Sequence, residues 1–318
     1  MPTVETVNGP IEVEQLGTTL IHEHFRTTDE AVRFQFPHLY DEDAEWEAAL
    51  ADARGVMSHG IRTVVEPSAL GLTRDARFSK RVADETGLQI VLATGIYTYE
   101  HLGQPFLNRD EDAIAEIFVH DVEVGIQGTE VKAAFLKCAA DEPGVTPNIE
   151  KVHRAVARAS LRTGRPIMAH SRPASGTGLE QMRIFEEEGV DPATVQIAHT
   201  GDTDDLDYIE RLLERGCWIG MDRYGLDLFL PTDRRNATVL ALLERGYADR
   251  MFLSQDYCST IDWFPPEVEE QLAQTMVPDW SMTFLFEKVI PTLRDGGMTD
   301  DQLDRMMVQN PKRWLAPE

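Results

Sequence analysis

Eight short apolar runs, rich in β-branched residues, recur along this chain with longer amphipathic stretches between them. That alternation restricts the fold more than any other feature. The runs are Thr18–His24, Ile61–Pro67, Gln89–Tyr97, Ala133–Ala139, Pro166–His170, Val195–His199, Trp218–Asp222 and Met251–Asp256. Near-continuous apolar runs of this length read as parallel strands buried on both faces. The stretches between them read as helices. Asp43–His59 places Trp46, Ala49, Leu50, Ala53 and Val56 at helical spacing. Asp75–Thr86, Asp110–Val124, Gly178–Glu188, Asp204–Glu214 and Thr232–Glu244 each stop close to a glycine, a residue common just past a helix end. Thr146-Pro147 opens a helix that runs through Arg162, with proline at an early position. Thr203 is the expected cap of Asp204–Glu214. A last pair, Trp280–Arg294 and Thr299–Val308, follows the eighth run. Repeated strand–helix units imply a parallel sheet with right-handed crossovers. Eight such units can close into a barrel. An open doubly wound sheet would carry a glycine-rich phosphate loop after its first strand, where this chain has His22-Glu23-His24. The expectation is α/β, a single (β/α)8 TIM barrel domain spanning residues 1–318.

Composition narrows the class further. A chain of 318 residues buries a large core. No apolar stretch reaches the ~18 to 20 residues needed to span a bilayer. Met1-Pro2-Thr3-Val4-Glu5 lacks a basic segment leading into an apolar one, so no secretory signal is expected. Three cysteines, Cys138, Cys217 and Cys258, make no disulfide framework. A cytoplasmic location is the simplest inference. The formal net charge of -25 repels phosphate backbones, which argues against nucleic acid as a partner. No membrane partner is expected either.

In a barrel of this kind the active site forms at the C-terminal ends of the strands. The first run ends with His22 and His24, which alternate with Glu23 and so share a face in an extended strand. The fourth holds Lys137, the fifth ends with His170, the sixth with His199, the eighth with Asp256. Each follows apolar residues, where a polar group is costly without a partner. A lone histidine at a strand end is more often structural than a ligand. Four of them beside a lysine and an aspartate, on one rim, point to a metal site. Lys137 has two readings. Burial and nearby cations favour its neutral amine, which can add carbon dioxide to become a carboxylate-like bridge between two cations. Alternatively, its stem is buried and its head pairs with an acid. Cys138 and Cys258 lack metal-ligand spacing and are read as packing residues, Cys138 facing the helices and Cys258 flanking the pocket. No role falls to His38, His59, His101, His120 or His153.

These residues together resemble the phosphotriesterase family of the amidohydrolase superfamily. The resemblance runs from Thr19-Leu20-Ile21-His22-Glu23-His24 through His199-Thr200-Gly201-Asp202 to Asn310-Pro311. Its lactonase branch is similar in Gly95-Ile96-Tyr97-Thr98-Tyr99, Lys137-Cys138-Ala139-Ala140-Asp141-Glu142-Pro143-Gly144, Gly220-Met221-Asp222-Arg223-Tyr224-Gly225 and Ser254-Gln255-Asp256-Tyr257-Cys258. The resemblance implies two divalent metal ions, zinc first, with cobalt, iron or manganese as alternatives. His22, His24 and Asp256 would hold the more buried ion, His170 and His199 the more exposed one. Lys137, as N6-carboxylysine, and a hydroxide would bridge them.

It further implies a lactonase acting on N-acyl-homoserine lactones and related lactones, with organophosphate triesters as side substrates. The bridging hydroxide would attack the carbonyl, and Asp256 would move its proton. Tyr97 and Arg223 would line the pocket. The competing readings are packing for Tyr97 and an ion pair with Asp222 or Asp202 for Arg223. Apolar residues after the seventh and eighth strands, including Leu226, Phe229, Trp263 and Met276, read either as a groove for an acyl chain or as a dimer interface or self-packed lid. A homodimer is expected from the resemblance and from the commonness of two-fold assemblies. The alternatives kept are a dedicated phosphotriesterase (aryldialkylphosphatase), another amidohydrolase, and a non-catalytic metal-containing binding protein.

Overall fold

The computed structural model describes residues 2–317; the two ends of the expected 1–318 domain lie outside it. The chain opens with an antiparallel hairpin, β1 (Thr3–Thr6) and β2 (Gly9–Glu12). Eight parallel strands follow: β3 (Thr19–Leu20), β4 (Thr63–Glu66), β5 (Gln89–Gly95), β6 (Phe135–Ala139), β7 (Ile167–His170), β8 (Val195–Ala198), β9 (Trp218–Met221) and β10 (Met251–Leu253). They pair strictly in chain order from β3 to β10. Helices flank the sheet, giving the (β/α)8 TIM barrel that the alternation predicts.

Alternation along each strand sorts two cores. On β6, Leu136 and Cys138 join an outer core with helix residues such as Val152 and Val156, while Phe135 belongs to an inner core with Val91, Met168, Trp218 and Phe252. Both cores are buried to within a few per cent. Cys138 therefore faces the helices, as its parity requires. Trp314, near the C-terminus, belongs to the inner core, its ring 5.5 Å from Phe135 and 6.0 Å from Phe252. Helix Asn310–Leu315 carries it.

The barrel closes between its first and last strands above the regular ladder, at the rim. There, Asp256 N donates to His22 O at 3.0 Å, His24 N to Tyr257 O at 2.7 Å, and Ser259 N to His24 O at 2.9 Å. Glu23, pointing away from its histidine neighbours, joins the same seam. Its Oε1 accepts from Ser254 Oγ and Gln255 N, and its Oε2 from Tyr257 N, all between 2.8 and 2.9 Å.

Some boundaries differ from expectation. Thr203 does not cap the helix after β8. Asp205 does, its carboxylate accepting from Asp207 N and Tyr208 N at the start of Leu206–Leu213. A carboxylate two residues closer to the helix can reach its free amides, and Thr203 Oγ1 instead accepts from Asp205 N. The last helical pair is irregular, each member passing through a π-helical turn, Leu285–Val289 and Arg305–Gln309, and then a proline-containing helix, Ile290–Asp295 and Asn310–Leu315. The second therefore runs beyond Val308. Three loop helices, Glu30–Gln35 after β3, Gln104–Leu107 after β5 and Pro266–Thr275 after β10, lie outside the repeating pattern.

Candidate metal centre and substrate cavity

The rim gathers the sequence-predicted side chains at one place. His22 and His24 each turn Nε2 toward Asp256 Oδ1, both at 3.2 Å. The His22 and His199 rings lie 4.9 Å apart, and His170 and His199 4.5 Å apart. Ligand atoms of His22, His199 and Asp256 all fall within 4.8 Å of one another, a spacing suited to one ion. Lys137 Nζ sits 3.3 Å from His22 Nε2 and 3.4 Å from Met168 Sδ.

Each imidazole is oriented by a carboxylate on its far side. His22 Nδ1 meets Asp222 Oδ2 at 3.2 Å and His199 Nδ1 meets Asp222 Oδ1 at 3.1 Å, so one aspartate serves two rings. His24 Nδ1 meets Glu66 Oε1 at 3.0 Å and Ser68 Oγ at 2.9 Å. His170 Nε2 meets Asp141 Oδ2 at 2.8 Å. Outer partners of this kind fix ring orientation and raise ligand basicity in metal sites. Sequence reasoning gave no such role to Glu66, Ser68, Asp141 or Asp222. Their signal was position, since each lies at or just beyond the end of an apolar run. Asp222 requires space on its own strand: a Cβ at Gly220 would stand 2.2 Å from Asp222 Oδ2.

Burial largely sets the protonation of the rim. Burial lowers His22 to about 4, helped by Lys137 and opposed by Asp256 and Asp222. Burial likewise lowers His170 to about 4, against Asp141. Burial and then Arg223 hold His199 well below its ordinary value. Three imidazoles are thus neutral near pH 7, the state a metal ligand needs. His24 differs: burial opposes its charge, but hydrogen bonds and charge from Asp256 and Glu66 outweigh it and raise the ring to about 9. His199 Nε2 is buried with no hydrogen-bond partner. A buried lone pair facing an aspartate fits a cation better than a void. His199 and Asp256 also hold left-handed backbone at φ 63° and 52°. Non-glycine residues in this region concentrate at functional sites.

Burial lowers Lys137 to about 8, against the pull of Asp256 and Asp222. Among the described residues no carboxylate lies within ion-pair distance of its Nζ, so the acid-paired reading of this lysine fails. Burial thereby brings its neutral, nucleophilic form within reach at mildly alkaline pH.

Arg223 joins the site through Asp256, its Nε donating to Asp256 Oδ2 at 2.9 Å and its Nη1 to Asp202 Oδ2 at 2.9 Å. The ion pair considered with Asp222 is not formed; that carboxylate is taken by two histidines. The Tyr97 hydroxyl hydrogen-bonds with that of Tyr99 and lies 3.4 Å from His170 Nδ1. Burial raises Tyr97 well above its ordinary value, keeping its proton on.

The site floors a cavity of about 580 Å³. His22, His24, His170, His199, Asp256, Tyr97 and Arg223 form its polar base. The walls are apolar, from Leu226, Leu228 and Phe229 after β9 and Cys258, Ile261, Trp263, Phe264, Leu272, Met276 and Val277 after β10. The helix Pro266–Thr275 contributes Leu272 to this wall. A mostly apolar cavity with a few convergent polar groups is the usual form of a small-molecule site.

Residues 2–315 match the Phosphotriesterase family. The chain is 49% identical over 308 residues to an aryldialkylphosphatase of Saccharolobus solfataricus, covering 96% of this chain and 97% of that protein. It is 41% identical over 321 residues to a phosphotriesterase homology protein of Mycobacterium tuberculosis, covering 98% and 97%. A solved structure of the phosphotriesterase from Mycobacterium tuberculosis superposes with a TM-score of 0.93 at 41% identity, covering 99% of this chain and 98% of that one.

Proposed function

This chain belongs to the phosphotriesterase family and is a hydrolase; on that footing we propose that it is a binuclear metal-dependent lactonase for N-acyl-homoserine lactones and related lactones, with organophosphate triesterase side activity. One observation carries the reading. Carboxylate-oriented imidazoles, one with an unpartnered Nε2, converge at the polar foot of an apolar-walled cavity. The foot suits a polar ester; the walls suit an acyl chain.

His22, His24 and Asp256 would hold one ion and His170 and His199 the second, with Lys137 as N6-carboxylysine between them. Zinc is the first expectation, with cobalt, iron or manganese as alternatives. Such ions supply a nucleophile at neutral pH and polarise a carbonyl or phosphoryl oxygen. The chain's own groups do the rest. Asp256, kept ionised against the cost of burial by its His24 hydrogen bond and the Arg223 charge, takes a proton at its carboxylate and returns it to the leaving group. Arg223 spends Nε and Nη1 on Asp256 and Asp202 and keeps Nη2 for an ester oxygen. Tyr97 keeps its proton and offers its hydroxyl as a hydrogen-bond donor beside His170. The apolar walls bind the substituent and exclude water.

A dedicated aryldialkylphosphatase is the second reading, favoured by the 49% relative of that name. Both predict turnover by metal-loaded protein, and they separate on efficiency. We measure acid release from γ-lactones of increasing acyl length by pH-stat, and phenol release from an aryl dialkyl phosphate by absorbance. Greater kcat/KM on the triester would favour the second reading. No hydrolysis of either ester, with two ions per chain verified, would favour another amidohydrolase activity or a non-catalytic metal-containing binding protein.

We further propose a single domain over 1–318, a cytoplasmic location and a homodimer, with neither nucleic acid nor membrane as partner. No helix among the described residues is long and apolar enough to cross a membrane. Exposed Phe34, Phe36 and Leu39 on the loop after β3 offer an apolar face for a second copy.

A further inference from the structure

Arg235 lies outside the cavity, in the helix Thr232–Glu244, and its side chain is fully buried. A guanidinium keeps its charge, so burial requires acceptors around it. Its Nη1 donates to the carbonyl of Gly201 and to Asp202 Oδ1, the latter at 3.0 Å. Its Nη2 donates to the carbonyl of Leu230 at 3.3 Å. These acceptors come from two rim loops, Gly201 and Asp202 from the one after β8, Leu230 from the one after β9. The second oxygen of Asp202 takes Arg223 Nη1, and Arg223 Nε reaches Asp256. Charge therefore alternates along Arg235, Asp202, Arg223 and Asp256. Gly201 makes room for the arrangement: a Cβ there would stand 3.1 Å from Arg235 Nη1 and 3.0 Å from Met221 Cα. Arg223 also lies over the Phe229 ring at 4.5 Å, on the loop that Leu230 ends.

We infer that Arg235 is a positioning residue for the hydrolysis: it fixes Asp202 and the end of the β9 loop, and through them holds Arg223 between Asp256 and Phe229. Loss of Arg235 frees Arg223 to swing away from Asp256. The inference rests on reading Arg223 and Asp256 as the floor of the substrate site.

The test compares Arg223→Met, Arg235→Met, Arg235→Lys and the double methionine variant, all metal-loaded, on whichever ester the wild type hydrolyses. Arg235→Met is expected to lose about tenfold in kcat with its metal content intact, and the double variant to be no worse than Arg223→Met alone, because residues acting as one unit are not additive. Arg235→Lys, which keeps a charge beside Asp202, should fall between wild type and Arg235→Met. A double variant whose loss is the product of the single losses, or wild-type kcat in Arg235→Met, overturns the inference. Where Arg235→Met does not fold, Asp202→Asn interrupts the same chain of charges and is combined with Arg223→Met in the same way. A crystal structure of the variant reads the position without turnover. Arg223 Nε departing from Asp256 is expected, and both of its contacts persisting overturns the inference. A wild type inert toward both esters defeats the functional reading, and the crystal structure still decides the role of Arg235.

Discussion

At the scale of single residues, the centre depends on carboxylates that touch no substrate. Asp222 is fully buried and orients His22 and His199 together. Replacing it with asparagine leaves the shape but puts an amide N–H₂ where one ring needs an acceptor. Asp222→Asn should lower metal affinity by about 10 to 100-fold, as removal of outer-sphere partners typically does, read by metal titration of the metal-free protein. Gly220→Ala should resemble it, since the added Cβ would collide with Asp222 Oδ2. Unchanged metal affinity in both variants would refute the shared-clamp role of Asp222. Asp256→Asn is a different experiment, because the role proposed for Asp256 is to move a proton as well as to face the histidines. A fall in kcat of about 10² to 10⁴ is expected with circular dichroism unchanged, and wild-type kcat would remove Asp256 from the mechanism.

At the scale of elements, the first and last strands join at the rim through backbone hydrogen bonds and through Glu23. The carboxylate accepts three donors from residues 254–257. Above about pH 8, where Glu23 is ionised, Glu23→Gln would leave at least one of them facing an N–H₂ group, a cost of about 1–3 kcal/mol for an unsatisfied buried donor. Faster amide exchange at Gln255 and Tyr257, by mass spectrometry, should accompany it, and unaltered exchange there would show that the seam stands without Glu23. Legibility in the sequence divides along the same lines. The eight strands were readable because burial on both faces leaves continuous apolar runs, and His22, His24, Lys137, His170, His199 and Asp256 because each interrupts or ends one. Glu23 was legible only as pointing away; its partners are more than 230 residues distant, and no local pattern encodes them. Glu66 and Asp141 were hidden for a similar reason, since a carboxylate at a strand end is ordinary until a distant imidazole faces it. Thr203 misled because three capping-type residues stand in a row before Leu206, and only the backbone geometry selects Asp205.

At the scale of the whole molecule, the rim stores a proton imbalance that the metal should relieve. His24 is raised to about 9 from an ordinary 6.5, its burial outweighed by Asp256 and Glu66. A histidine whose folded value is raised stabilises the fold fully below pH 6.5 and loses that contribution as pH climbs through about 9. Burial raises Glu23 to about 8, against its hydrogen bonds, so the folded chain also holds this proton longer than the unfolded one. Its ionisation weakens the fold as pH rises from about 4.5 toward 8. Lys137, lowered by burial to about 8, acts oppositely, but only above that pH. Between pH 6.5 and 8 the two raised groups therefore act together, and the metal-free protein should lose stability across that window. Metal changes the sign of the argument. An ion on His24 replaces its proton, so binding at pH 7 releases protons and tightens with rising pH. At a free concentration near 1,000 times Kd it adds about 4 kcal/mol of stability. Melting curves of metal-free and metal-loaded protein should thus diverge as pH rises from 6.5 to 8. Calorimetric titration in two buffers of different ionisation enthalpy should show net proton release at pH 7. Parallel melting curves with no proton release would mean that the raised histidine is not a ligand.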